Sequence, residues 1–161
     1  MLMLEKLRES FPSEIMESGV EHGHSFVVVK KDRLPELLKL LRDEPELRFE
    51  MLMDLCGVDR SRLGEAIRFE VVYHFYSLTH HHRLRLRVKV PQEDPRVATA
   101  TDFWQGADWF ERECWEMFGI VFEGHPRLKH LLLFDGFEGY PLRKDYPIAK
   151  RQKIPVSEEV V

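Results

Sequence analysis

Between Ile67 and Val90 the chain repeats itself at every second residue. Ile67, Phe69, Val71, Tyr73 and Phe75 form one apolar series, and after a short polar interval Leu84, Leu86, Val88 and Val90 form another. A period of two belongs to a strand with one buried face; wound into a helix, the same residues would scatter around its surface. The interval Thr79-His80-His81-His82 reads as a hairpin loop. With Thr79 opposite His82, Phe75 faces Leu86 and Tyr73 faces Val88, so both series fall on one side of an antiparallel pair. The reverse side carries Arg83, Arg85, Arg87 and Lys89. Four like charges in a row repel. They require either cross-strand carboxylates such as Glu70 or an acidic neighbouring subunit set against Arg85 and Arg87. Nucleic acid is a poor third choice, because no aromatic residues interleave with these charges and the net charge of the chain is -4.

The rest of the chain can be arranged around this hairpin. Leu4, Leu7 and Phe11 have helical spacing, and Pro12 closes that segment. Ser25 to Lys30, with three consecutive valines, is strand-like. Asp32 stands where an N-cap belongs, ahead of the apolar stripe Leu34, Leu37, Leu38 and Leu41, in a helix that ends before Pro45. Phe49, Met51, Met53 and Leu55 then alternate with Glu50, Leu52, Asp54 and Cys56 as a further strand. Ala98 to Trp104 reads as a short helix, and Gly106 separates it from a longer one that opens at Ala107. Strands followed by helices indicate an α+β domain, an antiparallel sheet with helices packed mainly on one face. We place this single domain at residues 1–147. Residues 148–161 form an irregular tail without periodicity, expected to be ordered by a partner.

A chain of 161 residues, 43% hydrophobic and 32% charged, can bury a core without disulfide or metal staples. Cys56 and Cys114 are its only cysteines, a number and spacing unsuited to a disulfide scaffold, a zinc ribbon or an iron–sulfur site, and natural in a reducing compartment. No apolar run approaches the roughly 20 residues of a spanning helix, so any membrane connection comes through a partner. The adjacent His80, His81 and His82 rarely aim three imidazoles at one ion, which weakens the reading as a histidine-based metal-binding protein. A stand-alone hydrolase or isomerase would need a nucleophile beside a base. None is evident, and Cys114 reads as a core thiol.

The most informative stretch is Ala107 to Tyr146. At 100° per residue its helix collects Ala107, Phe110, Cys114, Trp115, Met117 and Phe118 on one arc, with Asp108, Arg112, Glu113 and Glu116 opposite. Glu111 falls inside the apolar arc. The expected compensation is an ion pair with Arg143 or Arg127 rather than proton chemistry. Trp109 falls on the polar side, either buried under the chain's own tail or exposed as an interface anchor. The phrase Phe-Glu-Gly-X-Pro then occurs at residues 122–126 and again at 137–141. Each glycine permits a positive φ and each proline stiffens the turn. Basic residues trail both turns, Arg127 and Lys129 after the first, Arg143 and Lys144 after the second.

Glu-Arg-Glu-x-x-Glu-Met-Phe at 111–118, followed by His125 and by Lys129-x-Leu-Leu, resembles the signature of the thirty-kilodalton subunit of respiratory NADH:quinone oxidoreductase (complex I). The flanking stretches DFWQGADW and GFEGYPLRKDYP are similar to that family too. The resemblance implies a non-catalytic subunit in the hydrophilic arm of a proton-translocating complex, binding no cofactor itself. NADH and quinone would be substrates of the whole complex, with flavin and iron–sulfur clusters on other subunits. It implies packing against the forty-nine-kilodalton-type subunit and the cluster-bearing subunits, peripheral to the cytoplasmic side of the bacterial inner membrane. Glu111, Arg112, Glu113, Glu116, His125 and Lys129 match the family motif and are assigned structural or interface roles, together with Trp109, Arg143, Lys144, Arg85 and Arg87. Tyr140 departs from the pattern where many relatives have a second histidine. Related membrane-bound hydrogenases and other quinone-linked dehydrogenases use a similar subunit, which leaves the electron donor to be established.

Overall fold

The computed structural model describes residues 2–154. Helix α1 (Leu2–Ser10) buries Leu4 and Leu7 and delivers Phe11 to the core. Strands β1 (Ile15–Glu21) and β2 (His24–Val29) form a tight hairpin. Its two central residues, His22 and Gly23, both have positive φ, 50° and 80°, the conformation that matches the twist of adjoining strands. Strand β1 is not expected from the sequence, because its apolar residues do not alternate. Helix α2 (Leu34–Asp43) buries Leu34, Leu37, Leu38 and Leu41. Its N-cap is Arg33, with no side-chain capping bond, so the expected cap at Asp32 is not formed. There follow β3 (Met51–Asp59), β4 (Phe69–Tyr76), β5 (Arg83–Val90), β6 (Arg96–Ala98), α3 (Ala107–Phe118) and β7 (Val121–Glu123).

Five strands make one sheet in the order β1-β2-β5-β4-β3. Its pairings are antiparallel except for β2 with β5, which is parallel. Two registers differ from expectation. Phe75 lies opposite Leu84 and Tyr73 opposite Leu86, two residues from the anticipated pairing. The loop closes at Ser77, whose N–H donates to His82 O at 3.0 Å, rather than at Thr79. A shift of two preserves the buried face. In β3 a bulge lies between Leu52 and Asp54. The extra residue re-aims the strand, so that Leu52 and Leu55 are buried while Met51 and Met53 are exposed. The short helix expected at Ala98–Trp104 is also replaced. Residues 96–98 pair in parallel with β7, and a single turn follows in which Trp104 N–H donates to Ala100 O.

The core unites Leu7 and Phe11, the α2 leucines, and Ala107, Cys114 and Phe118 of α3 with Val27, Val29, Val71, Tyr73, Leu86 and Val88 of the sheet. All three helices therefore cover the same sheet face. The hairpin loop is fastened to the α2–β3 connection. His80 Nε2 lies 2.7 Å from Pro45 O and His82 Nε2 lies 2.8 Å from Leu47 O. Glu50 accepts from Thr79 Oγ1 and from the Leu78 N–H, and the Thr79 hydroxyl holds its pKa down at about 2. Two of the three imidazoles that suggested a metal are thus directed at carbonyl groups, and the third, His81, lies 3.3 Å from the Tyr76 hydroxyl. Among the described residues no group of His, Cys, Asp or Glu is placed to hold a metal ion, and no helix is long and apolar enough to cross a membrane. Residues 148–154 of the expected tail have no regular secondary structure; 155–161 lie outside the described residues.

Candidate functional site

Helix α3 approaches β3 unusually closely. A Cβ on Gly57 would lie 2.5 Å from Phe118 Cδ2 and 2.9 Å from Cys114 Sγ, so only glycine lets the helix seat there. The helix stops at Gly119, whose φ of 72° forms a left-handed C-cap and whose N–H donates to Trp115 O. On the opposite side the expected polar face is only partly solvated: Arg112 and Glu116 are buried, because the chain returns over them.

That returning segment is gripped at both ends. Arg112 donates through Nε to Lys129 O at 3.0 Å and through Nη2 to His130 O at 2.9 Å. Glu116 accepts the backbone N–H groups of Leu131, Leu132 and Leu133 at 3.0, 2.8 and 3.2 Å, and His130 Nδ1 lies 3.3 Å from it. Burial alone would raise the Glu116 pKa, but these donors outweigh it and hold the carboxylate below its usual range. His125 supports the first glycine turn. Its side chain is fully buried, its Nδ1 accepts the Arg127 N–H at 3.0 Å, and Nε2 therefore carries the proton toward Asp108 O at 3.2 Å. Gly124 in this turn has a φ of 85°. Lys129 is exposed, and its contribution to the grip is its carbonyl.

Glu111 is fully buried and, among the described residues, makes no ion pair, contrary to expectation. Thr99 Oγ1 and the Ala100 N–H each donate to it at 2.6 Å, which fastens α3 to the turn after β6. Burial raises its pKa to about 7 despite those bonds. Neither expected cation reaches it. Arg127 is exposed, and Arg143 spends its Nε on Phe118 O at 2.6 Å, with its guanidinium between the rings of Phe69 and Tyr140. Neutral donors satisfy the hydrogen-bonding capacity of a buried carboxyl group without neutralising its charge, and a helical wheel gives no sign of whether the fold supplies them or a cation.

The second glycine turn, with Gly139 at a φ of 88°, is held by Asp59, a residue that sequence patterning does not single out. Asp59 accepts from the Lys144 N–H at 2.9 Å and from Arg68 Nη2 at 2.9 Å, while Arg68 also pairs with Asp145. The available signal was an Asp at the end of a largely apolar strand. The Lys144 side chain itself is exposed.

Several large apolar side chains on and beside these grips remain exposed to solvent. Trp109 is 58% exposed, so burial under the tail is excluded among the described residues, and the Arg112 guanidinium stacks 5.2 Å from its ring centroid. Glu113, one turn on, is also exposed. Leu132, 63% exposed, is fastened to α3 at Glu116, and Leu142, 52% exposed, where its N–H meets Met117 O. The basic strand face, by contrast, is largely answered from within the chain. Glu70, 1% exposed, pairs with Arg87 at 2.7 Å and Lys89 at 2.8 Å, and Arg85 lies 3.6 Å from Glu21.

Known proteins resemble this chain in sequence and in fold. Residues 27–152 match the family model described as respiratory-chain NADH dehydrogenase, 30 Kd subunit. The chain is 45% identical to the C subunit of NADH-quinone oxidoreductase from Roseiflexus sp. (strain RS-1), over 93% of its length and 85% of the relative's. It is 43% identical to the protein of that name from Roseiflexus castenholzii, with the same coverage. Among solved structures, a trypsin-resistant fragment of Nqo5 superposes with a TM-score of 0.69 at 34% identity, over 80% of this chain and all of the fragment. A chain of the membrane-bound sulfane sulfur reductase, an archaeal respiratory membrane complex, shares the fold with a TM-score of 0.74 at 21% identity, over 99% of this chain and 98% of that one. The matched span contains α3, both glycine turns and every residue that grips them, and the chain belongs to the 30 Kd subunit family of the respiratory-chain NADH dehydrogenase, as a subunit of an NADH-quinone oxidoreductase.

Proposed function

We propose that this chain is a non-catalytic, cofactor-free subunit of the hydrophilic arm, whose task is to dock the forty-nine-kilodalton-type and cluster-bearing subunits and hold them in place during electron transfer from NADH to quinone. The observation that carries this reading is the use made of the buried polar groups of the family motif. Arg112, Glu116 and Glu111 all bond backbone or hydroxyl groups of their own chain, and the result is a stiffened surface exposing Trp109, Leu132 and Leu142. Large exposed apolar side chains on a rigid support are what an interface anchor requires. Flavin and iron–sulfur clusters sit on other subunits in this reading, and the chain lies peripherally on the cytoplasmic side of the membrane. The test is affinity purification of the tagged full-length chain from membranes. Recovery with the forty-nine-kilodalton-type and cluster-bearing subunits is expected, and Trp109→Ala combined with Leu132→Asp should reduce it at least tenfold without altering the melting of the chain. Recovery of a partner-free monomer would overturn the reading.

A further inference from the structure

Among the described residues of this site, Arg143 is the half-buried arginine that makes no ion pair. Its neighbours Arg112 and Arg68 use their guanidinium groups on carbonyl oxygens or carboxylates. Arg143 donates Nε to Phe118 O and, among the described residues, has no ion-pair partner and no further side-chain hydrogen bond. Its guanidinium is clamped 4.9 Å from the Phe69 ring centroid and 4.3 Å from that of Tyr140. It is also packed tightly from below, since a Cβ on Gly119 would lie 2.6 Å from Nη2 and 2.6 Å from Tyr140 Cζ. The planar group is therefore held in one orientation with its terminal nitrogens free of carboxylate.

The surroundings favour an anion. Arg143 opens on a surface cleft of about 320 Å³ lined also by Tyr140, Asp145, Tyr146 and Lys150. The one carboxylate in that lining, Asp145, is taken by Arg68 at 2.9 Å. Glu138 lies 3.7 Å from Lys150 rather than near Arg143. A pre-positioned guanidinium matches a carboxylate bidentately, and the ordering cost of forming that pair has already been met by the aromatic clamp. Asp59 and Asp145 act on this guanidinium only from a distance; a half-buried charge with no carboxylate bonded to it is costly, and an incoming carboxylate relieves it.

We propose that the cleft at Arg143 receives an aspartate or glutamate side chain from a loop of an adjacent subunit of the complex, paired to the free end of the guanidinium and flanked by Tyr140. This rests on the docking reading above and specifies the chemistry of one contact within it. The test places a photo-crosslinking benzophenone amino acid at position 140 of the full-length chain in the assembled complex, followed by mass spectrometry of the product. The expected product joins position 140 to a single peptide of another subunit that contains Asp or Glu. Converting that acid to Lys should lower co-purification at least tenfold, and combining it with Arg143→Glu should restore it, a rescue that a purely structural Arg143 would not give. A cross-link to residues 155–161 of this chain, to a peptide without an acid, or to nothing in an assembled complex overturns the inference and leaves the docking reading standing. Failure of the unmodified chain to co-purify with any partner overturns both.

Discussion

Arg112 and Glu116 lie one turn apart on α3 and hold consecutive parts of the same returning segment, Arg112 by its carbonyl groups and Glu116 by its N–H groups. The Arg112 contacts are to Lys129 O and His130 O, and those of Glu116 to residues 131–133. A cation and an anion at i and i+4 usually bond each other. Here both are spent on backbone, and so a segment without regular secondary structure acquires a fixed position.

Glu116→Ala should therefore be costly. It leaves three partly buried N–H groups without an acceptor, for a loss of about 3 kcal/mol. Urea denaturation of the full-length chain measures this, and amide exchange at residues 131–133 should accelerate more than elsewhere. Unchanged protection at those amides would show that the carboxylate is not the restraint.

Glu111 gives a pH dependence of definite sign. Its pKa rises from the ordinary 4.5 to about 7 in the fold, so between these values the folded chain keeps a proton that the unfolded chain has released. Stability from this group falls as pH rises through that window and levels off above it, by ~3 kcal/mol in all. Glu111→Gln retains an acceptor for the Ala100 N–H and can donate to Thr99 Oγ1. The variant should lose this slope and be the more stable protein at pH 8, as read from melting across pH 4.5 to 8.

Gly57→Ala tests the seating of α3. The added methyl meets Phe118 and Cys114 at 2.5 and 2.9 Å, and displacing a packed helix costs about 1–3 kcal/mol. A fall in melting temperature is expected together with weaker co-purification of partners, because the same helix carries Trp109.

Asp59→Ala should release the second glycine turn. The substitution removes the acceptor of the Lys144 N–H and leaves Arg68 with the exposed Asp145 and the Gln92 side chain, a loss of about 2 kcal/mol. Limited proteolysis should then cut within 139–150 while the β4–β5 hairpin survives; equal resistance to wild type would rule out this restraint.

Much of the fold was legible in period alone. The alternation in β4 and β5 identifies which residues are buried, and an error of two in the register did not change that. Met53 shows where periodicity stops being informative. Its alternation is regular on paper, and the bulge that turns it outward comes from pairing with β4, a partner distant in sequence. Strand β1 was invisible for a similar reason: it is an edge strand whose hydrogen bonds to β2, more than its side chains, make it a strand.

The same division runs through the site. The sequence by itself determined the α3 helix, the two positive-φ glycine turns and the family, because these depend on local spacing and on a motif of fixed positions. Only the tertiary structure decided that Glu111 is answered by Thr99 and Ala100, that Arg112 and Glu116 are buried under residues 129–133, that Trp109 is exposed, and that Arg143 makes no ion pair among the described residues. A helical wheel gives the direction of a side chain, but the partner of a polar group is whatever the rest of the chain brings within hydrogen-bonding distance, and that depends on contacts between residues far apart in sequence.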